Sequence, residues 1–375
     1  KNAEKLFGKN LNISASQLEK FNLCRFSYFC NYGLNVRERQ RAEINPMQYG
    51  TIVHYILERF FGEYTKEEYL SLEEDKFQKI VCAYLAEYAV KYFGEEQLES
   101  NSFTYRLKTI LDNVMYLMKH IMEELSQSEF FVADCELKIG EDIPSYTIVL
   151  TDGHKIAVCG SVDRVDIMQR ADITYLRIID YKTGTKQFKL SDILYGINLQ
   201  MLLYLHSIEA TGGDKYGEIV PAGILYMPAT VPYISSDSLK SIDKLPDELN
   251  KKLKMNGLLL KDTEIIHGMD KTDVATYIPV KIKAGEPVSS TSLATLAEFG
   301  KIFKKVDMLI AEMGKNIYNG NIEAKPLKGG HDSCEYCPYD SVCAYRQSNP
   351  ITCFSVDNKT VIEEITNEIN GKEEE

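Results

Sequence analysis

The hydrophobic pattern of this chain changes near residue 130, and that change limits the fold to a helical block joined to a sheet. Before residue 130, apolar side chains recur at helical spacing and predict helices over 47–61, 67–92 and 103–126. The capping-box spacing of Ser16 and Glu19 predicts a shorter helix before them. After residue 130, β-rich runs between turn residues predict strands, with two more helices at 192–210 and 293–318. The predicted strands, which make this an α/β chain, cover 130–139, 146–150, 155–159, 161–168, 174–182 and 218–227.

The composition sets limits on partners and compartment. With 375 residues and 44% hydrophobic content, the chain can bury a substantial core. The net charge of −12 argues against a general nucleic-acid coat protein but permits an enzyme that contacts DNA locally. No apolar run approaches the roughly 18 residues that span a bilayer, and the opening KNAEKLFGKN is not a signal peptide, so we expect a cytoplasmic protein. Because the first residue is Lys1 rather than methionine, we expect either a fragment or a processed form of a longer chain.

Two short runs carry acidic and basic residues in a pattern suited to phosphodiester hydrolysis. The first places Asp163 on one predicted strand, and the second places Asp180 and Lys182 on the next. Side chains alternate along a strand, so Asp180 and Lys182 share a face and Tyr181 points away. Two carboxylates can hold Mg²⁺, which lowers the pKa of a water molecule, and the lysine can orient that water or offset charge on the phosphate. For the second run alone, an exposed Asp–Lys pair at a strand end is the competing interpretation.

Further polar residues fall into register with this group. Gln200 and Tyr204 are spaced i and i+4 on a predicted helix, so both can reach a scissile phosphate or a base. Glu136 lies on the strand before Asp163, where it can be an additional acidic ligand. His54, in the second predicted helix, is either a structural histidine or a metal ligand.

The sequence resembles the RecB-type branch of the PD-(D/E)XK nucleases through four motifs in the same order: Gly50-x-x-x-His54, Gly160-x-x-Asp163-Arg164, Asp180-x-Lys182-Thr-Gly184 and Gln200-x-x-x-Tyr204. The resemblance implies a restriction-endonuclease-like mixed sheet flanked by helices, with an N-terminal helical block. The implied roles are catalysis for Asp163, Asp180, Lys182, Gln200 and Tyr204, and Mg²⁺ ligation for His54, Asp163 and Asp180. The chain departs from the family pattern at Val162, which stands where the motif has proline.

Nine cysteines are distributed unevenly, and three of them form one compact group. The run Cys334-Glu-Tyr-Cys337 followed by Cys343 supplies three thiolates, whereas a tetrahedral ion or a cubane cluster needs four ligands. Cys24 is the leading candidate for the fourth ligand, and Cys30 and Cys353 are alternatives. Zinc stays open on these residues alone, because it suits a Cys-x-x-Cys pair well.

The sequence also resembles the 4Fe–4S nucleases, which include the AddB subunits of AddAB helicase–nucleases and the Cas4 proteins. The resemblance rests on the stretch Ser14-Ala-Ser16-Gln-Leu18-Glu19-Lys-Phe21-Asn-Leu-Cys24 and the Cys-x-x-Cys-x₅-Cys group. Tyr32-Gly-Leu34 and Arg37-Glu-Arg39 fit the AddB type better than the shorter Cas4 type. The cluster ligands that the resemblance implies are Cys24, Cys334, Cys337 and Cys343. Such a cluster staples both ends of the chain around the core and restricts the unfolded state.

By the same resemblance we expect a Mg²⁺-dependent DNA nuclease that acts on the strand ending 5′ in double-strand break processing for recombination. Its expected partner is an AddA-like helicase–nuclease subunit. The sequence contains no Walker-type phosphate-binding loop, so any ATP dependence should come from that partner or from other regions. Two alternatives are a free-standing Cas4-like exonuclease and a non-catalytic scaffold that binds DNA ends. The intact set of candidate catalytic residues argues against the scaffold.

We predict that residues 1–375 form one nuclease domain with five segments. They are a helical part at 1–129, a catalytic α/β core at 130–230, an irregular insertion at 231–292, a helix with the cysteine group at 293–353, and a fraying tail at 354–375. A basic strip at 182–189 follows the catalytic strand. It could line a path for single-stranded DNA, with Tyr181 or Phe188 stacking on bases, or form a solvated loop.

Overall fold

The computed structural model describes residues 2–37, 46–94, 100–184, 186–231, 245–289, 291–343, 345 and 350–373. Arg39, Thr185 and residues 232–244 of the predicted insertion therefore lie outside the described residues. Within those ranges, no helix has the length and apolar character needed to cross a membrane. One continuous cluster of buried apolar side chains extends from Leu11 to Ile365 and forms the main core.

The N-terminal residues form four short elements. They are α1 (Asn2–Phe7), β1 (Asn10–Ile13), α2 (Ala15–Leu23) and α3 (Arg25–Tyr28). Ser14 caps α2, because its hydroxyl accepts the Gln17 N–H and the Gln17 side chain accepts the Ser14 N–H. The predicted cap of Ser16 and Glu19 is wrong. The Glu19 carboxylate instead accepts the backbone N–H of Leu199, 2.8 Å away.

The helical block that follows lies mostly where the apolar spacing predicted it. Its helices are α4 (Pro46–Glu63), α5 (Lys66–Leu70), α6 (Glu74–Phe93) and α7 (Asn101–Ser126). The inward face of α4 is fully buried at Ile52, Ile56 and Phe60, one helical turn apart. The predicted helix at 67–92 is two helices, because the chain leaves helical geometry between Leu70 and Glu74.

The β-rich runs form a central mixed sheet and three smaller sheets. The strands are β2 (Phe131–Ile139), β3 (Thr147–Val149), β4 (Lys155–Val158), β5 (Gly160–Arg170), β6 (Ile173–Lys182), β7 (Glu218–Pro228), β8 (Asn256–Leu260), β9 (Lys281–Lys283), β10 (Glu286–Val288) and β11 (Leu293–Ala294). The central sheet has the order β11-β8-β7-β6-β5-β2. Its middle pair, β6 and β7, is parallel, whereas β2, β5 and β6 are antiparallel neighbours.

The crossover between β6 and β7 carries a 3₁₀ turn (Leu190–Tyr195), α8 (Gln200–Thr211) and α9 (Gly213–Tyr216). The helix predicted at 192–210 is therefore α-helical only from Gln200. Helix α8 packs against β6 and β7. Parallel strands need a crossover of this kind, so the helix is held against the sheet beside the ends of β5 and β6.

The predicted irregular insertion at 231–292 is wrong for much of its length. It contains α10 (Leu245–Leu253), β8 and α11 (Thr263–Met269), and β8 is hydrogen-bonded to β7 within the central sheet. The apolar run of β8 is only a few residues long and lies between polar stretches, so it gave little periodicity. Gly257 is required there, because an added Cβ would lie 2.0 Å from the backbone oxygen of Ile224.

The C-terminal region is more ordered than the sequence predicted. Helix α12 (Leu296–Tyr318) confirms the expected helix, and β12 (Leu327–Gly329) pairs with β13 (Ile351–Cys353) around the cysteine group. The expected fraying of the tail is wrong for the helical residues, because α13 (Asn358–Glu373) packs on α12, and residues 374–375 lie outside the described residues. Val361 and Ile365, spaced i and i+4, are fully buried in the core.

Behind the central sheet, two arginines and two acids form a fully buried charge network. Arg164 on β5 and Arg177 on β6 both bond to the Asp166 carboxylate and to the Glu124 carboxylate on α7. All four side chains have zero exposure. The network therefore ties a helix to the two strands that carry the candidate catalytic residues.

Removing one acid from this network should destabilise the protein strongly. Glu124→Ala leaves two buried arginines that share a single carboxylate, and an uncompensated buried charge costs roughly 3–5 kcal/mol of unfolding free energy. Glu123→Ala, an exposed neighbour on the same helix, is the control and should change stability by less than about 0.5 kcal/mol. Urea unfolding of both variants measures the difference. Equal stabilities would contradict the assignment of the network.

Candidate active site

Three carboxylates occupy one row across neighbouring strands. In the antiparallel register of β2 and β5, Glu136 lies opposite Asp163. In the register of β5 and β6, Asp163 lies opposite Asp180, directly beyond Arg164 and Ile179, the last paired residues of that ladder. The row places acids on three adjacent strands at one end of the sheet.

The ladder between β5 and β6 opens at this row. The backbone N–H of Tyr181 donates to Asp163 Oδ2 at 2.9 Å, where a continuing ladder would supply a backbone carbonyl. The two strands therefore separate, and a side-chain oxygen satisfies the freed amide. This contact fixes the Asp163 carboxylate against the strand that carries Asp180.

A histidine from the helical block completes a group of three potential metal ligands. His54 Nδ1 lies 2.9 Å from Glu136 Oε1, and His54 Nε2 lies 3.6 Å from Asp163 Oδ2. Ser161 donates to the other Glu136 oxygen at 2.9 Å. One ligand atom each from His54, Glu136 and Asp163 lie within 4.8 Å of one another, the only such set of three found among the described residues.

Glu136 reaches this group through an unusual backbone conformation. Its φ is +52°, a left-handed value inside a strand. Non-glycine residues with such values cluster at functional sites, because the surrounding structure must hold them there. The sequence pattern identified Glu136 as an acid near the site but missed Ser161. The hydrogen bond from Ser161 to Glu136 forms where Glu136 has its left-handed conformation, which the sequence does not signal.

Asp180 stands beside this group rather than within it. Lys182 Nζ lies 2.5 Å from Asp180 Oδ2, and the Gln200 side-chain amide donates to Asp180 Oδ1 at 3.1 Å. The structure therefore brings the strand pair and the start of α8 together, as the spacing predicted. Asp180 is nearly buried, whereas about a quarter of the Lys182 side chain is exposed.

The position of Gln200 depends on helix α2 near the N-terminus. Glu19 accepts the Leu199 N–H, and Asn22 donates to the Gly196 carbonyl at 2.9 Å. Gly196 has a φ of +69°, and an added Cβ would lie 2.3 Å from the Asn22 amide nitrogen. Glu19 and Asn22 therefore hold the turn that leads into Gln200, a role that no local sequence signal predicts.

Tyr204 is close to the site but does not bond to its acids. Its hydroxyl lies over Gly160, where an added Cβ would be 2.2 Å from the oxygen. Burial raises the pKa of Tyr204 to about 12, while a nearby backbone amide of Ala15 lowers it. The glycine of the Gly160 motif is therefore needed for the close approach of this ring.

The electrostatics of the row favour a cation. Burial and the charge of Asp180 raise the pKa of Asp163 to about 7. Burial also raises the pKa of Asp180, although Lys182 and Lys186 oppose that shift. Burial works against the charged form of His54, but Glu136 and the two aspartates outweigh it and raise the pKa of His54. Like charges held this close gain strongly from an added positive charge.

The site opens into a cleft of about 730 Å³. Its lining includes His54, Glu136, Lys182 and Lys186. Tyr181 is only 4% exposed and its hydroxyl accepts a bond from Arg164, so the prediction that it stacks on bases is wrong. Phe188, the other expected stacking residue, is half-buried and is not part of this lining.

The cysteines form a second site where the two ends of the chain meet. Cys24 and Cys30 are buried near Cys337 and Cys343. Burial is the main cause that raises the pKa of Cys30, and the proximity of Cys337 and Cys343 raises it further. Burial likewise raises the pKa of Cys24, followed by the opposing effect of the Ser27 and Phe26 amides. Among the described residues, no three cysteine sulfurs lie within 4.8 Å of one another.

Contacts other than cysteine also join this loop to the N-terminal segment. Ser333 donates to the Leu23 carbonyl at 3.0 Å, and Tyr339 donates to the Val36 carbonyl at 2.8 Å. Cys353 lies apart, packed with Ile197 and Leu327. Cys24 and Cys30 therefore remain the two N-terminal candidates that lie beside the loop.

Comparison with known proteins agrees with the fold and the motifs. A family model described as the PD-(D/E)XK nuclease superfamily matches residues 12–344. The chain therefore belongs to this superfamily, and the predicted mixed sheet flanked by helices is confirmed.

Its relatives include proteins named as the B-type subunit of an ATP-dependent helicase/deoxyribonuclease. The protein of Thermoanaerobacter sp. (strain X514) is 34% identical over 91% of this chain and 30% of its own length. That of Clostridium kluyveri (strain NBRC 12016) is 35% identical over 99% of this chain and 33% of its own length. The chain thus spans about a third of the length of these relatives. The predicted similarity to the AddB type is confirmed.

Asp163→Asn should stabilise the metal-free protein in a pH-dependent way. The pKa of Asp163 is about 7 in the folded protein and roughly 3.9 in an unfolded chain. Between these values the folded state binds the extra proton, so wild-type stability falls as pH rises. The variant does not titrate there, so its advantage in melting temperature should be small near pH 4 and full above about pH 7. A variant less stable than wild type at pH 8 would contradict this assignment.

Proposed function

We propose that this chain is a Mg²⁺-dependent DNA nuclease domain that hydrolyses phosphodiester bonds. The observation that carries the proposal is the group of His54, Glu136 and Asp163, with the Asp180–Lys182 pair beside it. His54, Glu136 and Lys182 line one cleft. Oxygen and imidazole donors of this kind suit a hard divalent cation. Membership of a nuclease superfamily supports the reaction class, and the names of the relatives support DNA as the substrate.

The donor set fits a divalent ion on structural grounds. His54 and Asp163 present a nitrogen and an oxygen to the same space, and Glu136 fixes the imidazole by bonding to its other nitrogen. A divalent ion bound there would stabilise negative charge on the phosphate and lower the pKa of a water molecule. Asp180 lies next to the group and balances the charge of Lys182.

Lys182 and Gln200 serve the substrate in this proposal. The partly exposed Lys182 ammonium faces the cleft and can offset charge that develops on the attacked phosphate. The Gln200 side chain donates to Asp180 Oδ1 and so orients the carboxylate, whose other oxygen, Oδ2, contacts Lys182. Tyr204 acts by filling the space over Gly160, which holds the start of β5 beside α8.

We further propose that the domain is part of an AddB-like subunit that works beside an AddA-like helicase–nuclease subunit. The similarity to subunits named as helicase/deoxyribonuclease components supports this assignment over a free-standing Cas4-like enzyme. Action on the strand ending 5′ during break processing follows from the family resemblance. The conformation of Glu136, with its bonds to His54 and Ser161, supports catalysis over a purely scaffolding role.

The second proposed cofactor is a 4Fe–4S cluster bound by Cys24, Cys334, Cys337 and Cys343. A single zinc ion with Zn–S bonds of about 2.3 Å would hold its sulfurs roughly 3.8 Å apart, whereas no three cysteine sulfurs of the described residues lie within 4.8 Å of one another. A cubane binds each thiolate through a different iron atom and suits wider spacing. Backbone amides near Cys24 suit a charged sulfur. The cluster would lock the two ends of the chain together.

Asp180→Asn should reduce Mg²⁺-dependent cleavage of end-labelled single-stranded DNA by about a hundredfold or more, because Lys182 and Gln200 lose their anionic partner at the site. Asp172→Asn, on the exposed turn between β5 and β6, is the matched control and should cleave as wild type does. Gel analysis of the labelled strands reports both rate and direction. Cleavage by Asp180→Asn at the wild-type rate would remove the assignment of the site.

Cys24→Ser should lower the iron and acid-labile sulfide content and destabilise the protein, while Cys353→Ser, also buried, should retain both. The difference is expected because Cys24 lies beside Cys343, whereas Cys353 lies apart from the cysteine loop. Metal analysis after anaerobic purification is the measurement. Stoichiometric zinc without iron would overturn the cluster, and full iron content in Cys24→Ser but not in Cys30→Ser would transfer the ligand role to Cys30.

A further inference from the structure

The cleft that holds the proposed hydrolytic centre also has an aromatic part that the catalytic residues do not use. Tyr55 on α4 and Tyr88 and Tyr92 on α6 line the same space as His54. Tyr88 is 5% exposed, whereas Tyr92 is 55% exposed. A single exposed tyrosine is ordinary on a protein surface. An exposed ring that lines this cleft, however, is available to contact a bound ligand.

The three rings are already ordered against one another. The ring centroids of Tyr88 and Tyr92, one turn apart on α6, are 4.4 Å apart with planes tilted by 35°. Tyr55 meets Tyr88 edge-on at 5.2 Å, and its hydroxyl donates to Glu87 at 2.8 Å. A ring that is fixed before binding loses little side-chain entropy when a ligand stacks on it.

The aromatic rings share one cleft with side chains of the proposed hydrolytic centre. Tyr55 is adjacent in sequence to His54, and Lys182 and Lys186 line the same cleft. If Lys182, Lys186 and His54 contact the phosphates of a bound strand, the neighbouring bases would lie in the same cleft as the tyrosines. Lys91 approaches the Tyr92 ring at 5.0 Å, a weak contact for an exposed lysine that a base can displace.

We propose that Tyr92, supported by Tyr88, is the stacking platform for one unpaired nucleobase next to the scissile phosphate. The proposal rests on the proposed nuclease function and adds a specificity determinant to it. Inside a duplex both faces of each base are covered by its neighbours, so away from the duplex end only an unpaired or flipped base can offer a face to Tyr92. The platform therefore makes the cleft select single-stranded over duplex DNA, without a preference for sequence.

The test compares Tyr92→Ala with Tyr92→Phe, which keeps the ring, and with Tyr105→Ala. Tyr105 is 73% exposed on α7 and does not line the cleft, so it controls for loss of a surface tyrosine. Binding of a fluorescein-labelled single strand is measured in metal-free buffer, so the strand stays intact. Tyr92→Ala should bind about tenfold more weakly, while the other two variants bind as wild type does.

An abasic strand separates stacking from a general loss of affinity. Wild type should bind an abasic strand about as weakly as Tyr92→Ala binds the normal strand. The affinity of Tyr92→Ala should be the same for the abasic strand as for the normal strand. In cleavage assays with Mg²⁺, the preference of Tyr92→Ala for single over double strands should fall about tenfold.

Several results would overturn the platform. One is that Tyr92→Ala loses the same affinity for normal and abasic strands, and another is that it loses affinity for neither. A third is that Tyr92→Phe loses as much affinity as Tyr92→Ala does. Melting temperatures show whether the alanine variant is folded, and Tyr92→Leu, which keeps apolar bulk, replaces it if it is not. A wild-type protein that cleaves nothing would defeat the proposed function, whereas the metal-free assay still decides whether Tyr92 stacks on a base.

Discussion

Carboxylates crowd together at the point where β5 and β6 separate, and this crowding governs the geometry of the candidate site. Asp163 and Asp180 face each other across a broken ladder, both largely buried. Burial raises the pKa of Asp163, and repulsion from the ionised Asp180 raises it further. The protein holds them with the Tyr181 amide and Lys182, which fixes the geometry before any cation is bound. The acidic site is thus arranged to accept a cation.

The alternation of side chains along these strands assigns one face to chemistry and the other to support. On one face Asp163 lies near His54 and Asp180 near Lys182, while on the other face Arg164 and Tyr181 point into the buried charge network. A shift of register by one residue would exchange the two faces and bury the acids without partners. Because Glu124 anchors that network to α7, the helical block takes part in fixing the register of the catalytic strands.

The sequence allowed prediction of those features that depend on local periodicity. The period of two placed Asp180 and Lys182 together, and the spacing of i and i+4 put Gln200 on the helix that reaches them. The bond between His54 and Glu136 joins residues far apart in the chain and depends on a left-handed residue inside a strand, so no local pattern signals it. Strand β8 was missed because tertiary burial, rather than periodicity, makes its short run a strand.

Helix α2 connects the two sites of the molecule. Its residues Glu19 and Asn22 hold the turn that precedes Gln200, and Cys24 stands at its C-terminal end beside the cysteine loop. The last residue of this helix, Leu23, is also bonded by Ser333 from the far end of the chain. The helix that joins the two ends of the chain therefore also supports Gln200. Any change that loosens the contact between the two ends of the chain should therefore also loosen the turn that positions Gln200.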